Sequence, residues 1–193
     1  MYTSVEIEFK TEINKDEYER LIDLYNLKEK ISSQINYYFD TPNHSLINNK
    51  IILRIREKSY NIKLTSKTPQ ETGVLERHII LDKDEAYKMI ENGFNAEIIE
   101  INEFVKLIAK LQTFRATMEY KSGTLFFDMN KYYDTIDYEI EFETNDEELG
   151  KKEFMEFLTE HNITYKKMVS KSKRAYKKSS QSCGEPTKLD III

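Results

Sequence analysis

Charged side chains recur at a spacing of two along this chain. Glu6-Ile7-Glu8-Phe9-Lys10 sets two carboxylates and an ammonium on alternate positions. The spacing returns in Arg54 and Arg56 and in Glu139, Glu141 and Glu143, while Lys63, Thr65 and Lys67 share one face, with Glu76, Arg115 and Asp128 in similar surroundings. Hard divalent cations prefer carboxylate oxygen and keep waters beside substrate phosphates. Arginine and lysine clamp phosphate oxygens, arginine in bidentate fashion. Acid and base converging in one cavity therefore suit a metal ion with a phosphate-rich ligand. Phosphoryl transfer needs that arrangement, because its catalysis is mostly positioning and charge neutralisation. For any single strand a solvated outer face is the ordinary reading. Taken together, the runs favour inward-facing charge, because one sign dominates each strand.

The elements that must position these residues read mainly as strands with an apolar and an ionisable face. Asn14 caps a helix over about 14–27 whose Tyr18, Leu21, Ile22 and Tyr25 share one face. Strands follow at 33–40, 51–56, 61–67 and 73–80, with Pro42 and Pro69 as stops. A helix opens at Asp82 and closes near Gly93, and residues 102–108 read as a second short helix. Strands return at 112–120, 124–128 and 136–143, with Lys121-Ser122-Gly123 as a hairpin turn that takes glycine at positive φ. A last amphipathic helix covers about 146–161, and a basic run follows to Lys178. The expectation is an α+β protein: a closed antiparallel β-barrel whose charged faces point inward, flanked by helices. The domain spans 1–178, and 179–193 reads as a flexible C-terminal tail.

Composition narrows the function classes. With 29 Lys+Arg against 34 Asp+Glu, the net charge of -5 argues against nucleic-acid binding. Five glycines form no phosphate loop of the P-loop or dinucleotide type. The single cysteine, Cys183, excludes an internal disulfide framework and reads as incidental. His44, His78 and His161 show no metal-ligand spacing, and His78 reads as a strand-surface residue. Lys63 and Arg77 fit ordinary surface charges, and Asp40 a turn cap. The first residues do not resemble a signal peptide, and no apolar run is long enough to span a bilayer. The expectation is a cytoplasmic protein with no membrane or nucleic-acid partner, and a homodimer stays open.

The ordered series resembles the CYTH, or triphosphate tunnel metalloenzyme, superfamily, and in particular its small bacterial YjbK-type members. Glu6-x-Glu8-x-Lys10 is similar to the family's defining motif, and Tyr38 to Pro42 to the strand after the first helix. Leu53-Arg54-Ile55-Arg56, Leu64-Thr65-Ser66-Lys67, Leu75-Glu76, Leu125 to Asp128, Tyr138 to Glu141 and Ser170 to Lys173 follow in family order. The match spans roughly residues 4–178. It implies a tunnel of about eight strands that hydrolyses a triphosphate-bearing small molecule with Mg²⁺ or Mn²⁺. It implies that Glu6, Glu8, Glu139 and Glu141 hold the metal and, with Lys10, serve catalysis. Lys10, Arg54, Arg56, Lys67, Glu76, Arg115, Asp128, Lys171 and Lys173 form the substrate-binding set by the same resemblance. Thr113 and Tyr176 depart from the family pattern, each standing where members often carry a basic residue. A class IV-type adenylate cyclase and a non-catalytic polyphosphate or triphosphate binder are the alternatives. A lipocalin-like barrel is disfavoured, because a lipid cup needs apolar walls.

Overall fold

The computed structural model of the protein describes residues 1–182. Eight strands close into a barrel: β1 (Tyr2–Ile13), β2 (Ser32–Asp40), β3 (Ile52–Lys58), β4 (Asn61–Pro69), β5 (Val74–Leu81), β7 (Phe104–Tyr120), β8 (Gly123–Tyr132) and β9 (Thr135–Thr144). Their order is β2-β3-β4-β5-β1-β9-β8-β7, and β2 pairs with β7 to close the ring. The two-residue β6 (Phe94–Asn95) only extends the edge of β7. Every pairing is antiparallel.

Alternation along these strands sorts the side chains. One set of outward apolar residues, including Leu125, Phe127, Ile140 and Phe142, packs under α1 (Lys15–Leu24) and α4 (Glu147–Glu160). A second set, including Leu53, Ile55, Leu64 and Leu81, packs with Ala86 of α3 (Lys83–Asn92) and with Ile99. The helices start where the sequence places caps. Asn14 and Glu17 form a reciprocal capping box, Asp82 accepts from the amide of Asp84, and Asp146 from that of Leu149.

The short helix expected at 102–108 is instead the first third of β7. Val105 and Leu107 alternate with exposed Phe104 and Lys106, and pairing with β2 and β6 overrides local helix propensity. A bulge lets Ile108 drop out of register between Tyr38 and Phe39. It flips the faces, so Leu107 joins the outer core while Ala109 and Leu111 turn into the barrel. The 121–123 turn also differs from expectation. Lys121 takes the positive φ of 49°. Gly123 is needed for close approach, since a Cβ there would lie 2.3 Å from the Glu143 carbonyl and 2.7 Å from the Phe142 ring.

The basic run at the end folds as α5 (Lys171–Ser182), so residues 179–182 belong to the folded chain and not to a tail. Residues 183–193, including Cys183, lie outside the described residues. Ala175 of α5 packs with Tyr38, Ala109, Leu111 and Tyr132, which fill one end of the barrel. Ser179 ties the helix to the Ile108 carbonyl at 2.9 Å. No helix among the described residues is long and apolar enough to cross a membrane.

Candidate active site

The barrel encloses a cavity of about 770 Å³ lined by Glu6, Glu8, Lys10, Arg54, Arg56, Lys67, Glu76, Arg115, Glu141 and Lys171. Strand register explains the convergence. Glu8 stands opposite Glu143 and Lys10 opposite Glu141 across β1 and β9. Arg115 faces Asp128 across β7 and β8, and Lys67 faces Glu76 across β4 and β5.

The carboxylates fall into two groups that differ from the division expected from sequence. Glu6, Glu8 and Glu143 offer oxygens within 4.8 Å of one another, half-buried in the wall. Glu139 and Glu141 instead join Asp128 in a fully buried trio with the same spacing. Charge accounting separates the two. The buried trio meets Arg115, Lys171 and Arg174. Arg115 makes a bidentate pair with Asp128 at 2.7 and 2.6 Å and also touches Glu141. Lys171 contacts all three carboxylates, at 2.9 Å from Asp128 and 2.6 Å from Glu141. Arg174 reaches Glu139 at 2.6 Å. Three cations thus balance three anions. In the half-buried trio, Lys10 pairs with Glu8 and Lys67 with Glu6, and Glu143 has no ion pair among the described residues. That trio keeps an unbalanced negative charge, and its donors are all hard oxygens. It is the group whose chemistry fits a divalent cation.

The titration behaviour follows. Burial alone would raise Glu8, but Lys10, Lys67 and Lys171 overcome it and hold the group at about 2. Burial, reinforced by the Glu6 carboxylate, pushes Glu143 up to about 7. Burial and the Glu8 carboxylate push Glu141 up to about 7, against the pull of Arg115. Asp128 is held well below the usual carboxylate range: burial opposes this, and Arg115 and Lys171 prevail.

The opposite wall is cationic. Arg56 makes no ion pair among the described residues, and its Nε donates to Asn36 Oδ1 at 2.9 Å. Burial and the neighbouring Arg54 and Arg115 lower it to about 9, as expected of a guanidinium awaiting an anion. Lys67 lies 2.6 Å from Glu76, and Arg54 lies 3.8 Å from it. The aromatic lining is already engaged. Arg115 stacks 4.3 Å over Phe126, and Phe9 stacks on Phe154.

Three placements were not legible, those of Lys173, Arg174 and His78. Lys173 lies on the exposed face of α5 and is not brought to the cavity. Arg174 takes part in its stead, because an i, i+3 step on a helix puts it on the face of Lys171. Glu143 continues the alternation of Glu139 and Glu141, a signal the sequence carries. His78 is buried inside the barrel and not on a strand surface. Lys63 lines the cavity, Arg77 pairs with Glu100 at 2.6 Å, and Asp40 caps the turn into α2 (Ser45–Asn48) as expected.

The comparisons with known proteins agree with this architecture. The CYTH domain profile matches residues 4–176. YjbK of Bacillus subtilis, described as a candidate triphosphatase, is 30% identical over 189 residues, covering 94% of this chain and 100% of the relative. A crystal structure from Bacillus halodurans, described as a candidate adenylate cyclase, is 33% identical with a TM-score of 0.83, covering 90% of this chain and 98% of that one. HpAC1 of Hippeastrum, described as having a dominant triphosphatase activity, shares the fold at 22% identity and a TM-score of 0.73, covering 90% of this chain and 95% of its own. Nearly the whole folded chain is thus matched, and the protein belongs to the CYTH domain family.

Proposed function

We propose that the protein is a metal-dependent triphosphatase acting on inorganic triphosphate or a small organic triphosphate. One observation carries this reading: an under-neutralised carboxylate trio, Glu6, Glu8 and Glu143, shares a cavity of about 770 Å³ with a wall of arginine and lysine. A divalent cation, Mg²⁺ or Mn²⁺, would be held by that trio, where it supplies charge neutralisation at the phosphate oxygens. Arg54, Arg56, Lys10 and Lys67 bind and orient the phosphate chain, and Arg115 and Lys171 lie deeper along it. Water adds to a phosphorus, the anhydride P–O bond breaks, and the shortened phosphate leaves. Glu141, pushed up to about 7, is suited to accept the proton of the attacking water.

The cavity wall favours phosphate over an adenine base. The aromatic residues that line it are packed against Arg115, Phe154 or the buried end of the barrel. A screen for phosphate release from tripolyphosphate and from nucleoside triphosphates, with Mg²⁺ or Mn²⁺ and with chelator, tests the reading. Metal-dependent orthophosphate release is expected. Cyclic AMP from ATP would favour the cyclase, and binding of tripolyphosphate without turnover would favour a non-catalytic binder.

A further inference from the structure

Two primary amides, Gln34 and Asn36, stand on the inward face of β2, whose outward Ile35, Tyr37 and Phe39 belong to the outer core. Asn36 is engaged. It is fully buried, and its Oδ1 accepts from Arg56 Nε at 2.9 Å. A guanidinium N–H can only donate, so the carbonyl oxygen is the atom that faces it. Gln34 differs. It is 4% exposed and lines the cavity, and its side chain makes no hydrogen bond to any described residue. A buried amide without a partner is costly, and folded proteins keep few of them. The groups around Gln34 are already committed. Opposite it on β7 is Thr113, whose hydroxyl donates to Asn130 Oδ1 at 2.8 Å. The next inward residue of β7, Arg115, is held by Asp128 and Glu141. On the other side, about 7 Å along β2, Asn36 stands opposite Arg56 of β3. Arginine has no acceptor to offer an amide N–H. The wall thus sets the Gln34 amide between two phosphate-binding arginines and supplies no protein oxygen for its Nε2 hydrogens.

We infer that Gln34 is a substrate-binding residue whose amide donates to a phosphate oxygen of the bound chain, between the Arg56 and Arg115 contacts. A neutral donor suits that point. Arg54 and Arg115 already repel Arg56, and a further cation beside them would add to that repulsion. An amide adds a hydrogen bond to a charged oxygen without adding charge. The assignment rests on the triphosphate reading for its ligand, and on burial, cavity and register for the residue.

Two readouts test it in the full chain. The first is the NMR signal of the Gln34 side-chain NH2 group, assigned by its loss in Gln34→Met. Tripolyphosphate should move it. The second is tripolyphosphate affinity by calorimetry over a range of salt concentrations. Gln34→Met keeps the length of the side chain and removes the donor. It should weaken binding roughly tenfold, as fits losing a hydrogen bond to a charged group. The salt dependence should stay that of the unaltered protein, whereas Arg56→Gln, which removes a charge, should flatten it. The melting temperature of ligand-free Gln34→Met should not fall, because the amide has no protein partner to lose. Gln34→Glu keeps the shape, removes both donors and adds a negative charge, so it should bind more weakly still, and it serves as the second variant if Gln34→Met does not fold. An NH2 signal unmoved by bound tripolyphosphate, a Gln34→Glu protein that binds as tightly as the parent, or a Gln34→Met protein that flattens the salt dependence as Arg56→Gln does overturns the inference. If the unaltered protein binds no tripolyphosphate, in chelator or with Mg²⁺, the triphosphate reading falls. A Gln34 signal then moved by pyrophosphate or orthophosphate still supports the phosphate contact, and one moved by neither overturns it too.

Discussion

Glu143 and Asp128 show how neighbouring carboxylates in one barrel take opposite roles. Glu143 lacks an ion pair among the described residues and is pushed up to about 7 by burial and Glu6. Replacing it with glutamine keeps the shape and removes one ligand charge from the half-buried trio. Glu143→Gln should therefore weaken Mn²⁺ binding at least tenfold, read by electron paramagnetic resonance, with little loss of melting temperature. An unchanged Mn²⁺ affinity would move the metal elsewhere. Asp128 is fully buried and gripped by Arg115 and Lys171. Asp128→Asn leaves those cations under-compensated and should cost about 3–5 kcal/mol in a urea unfolding experiment. A cost below about 1 kcal/mol would contradict the charge balance described for the deep trio.

At the scale of elements, β1 and β9 were readable because Glu6-x-Glu8 and Glu139-x-Glu141 alternate without a break, and a period of two fixes which face each carboxylate shares. What alternation does not state is the offset between strands. Glu8 meets Glu143 and Lys10 meets Glu141, so the half-buried trio could not be drawn from β1 and β9 separately. The start of β7 was obscured because Phe104 to Ile108 is too short to tell strand from helix by pattern, and pairing with β2 decides it. In α5 the basic run hides a helical face, on which Lys171 and Arg174 turn inward and Lys173 outward. Gly123 illustrates a constraint set by a neighbouring strand. Gly123→Ala would press a methyl against the Glu143 carbonyl, 2.3 Å away, at the backbone of a residue of the half-buried trio. It should destabilise the protein by about 1–3 kcal/mol and lower Mn²⁺ affinity as well, and a variant as stable and as tight as the parent would show that this turn has slack.

The whole molecule is a barrel turned inside out relative to a lipid carrier, with apolar faces under helices and charge in its lumen. Family order made that closure legible from sequence, while the charge balance within it required the pairing partners. The balance has a pH signature. Glu141 and Glu143 bind protons more tightly folded than unfolded, both being raised to about 7 from 4.5. Their contribution is present below about pH 4.5 and is lost as pH rises through 7. His78, lowered by burial, opposes this just below its ordinary value of 6.5, one group against two. Lys171, lowered by burial to about 7, acts only above that pH. Chelator-treated protein should therefore lose stability between about pH 5 and about pH 7, and excess Mg²⁺ should reduce or reverse the slope, because the cation favours ionised Glu143. A flat profile in chelator would argue against the raised carboxyl groups.

In the proposed reaction the under-neutralised trio and the cationic wall act together on a triphosphate. Phosphorus NMR of tripolyphosphate incubated with the protein and Mg²⁺ or Mn²⁺ tests it most directly, beside chelator and Glu8→Gln controls. Equal appearance of orthophosphate and pyrophosphate is expected with the unaltered protein, and neither product in the controls. Tripolyphosphate that binds yet stays intact, or is cleaved at the same rate without metal, would contradict it.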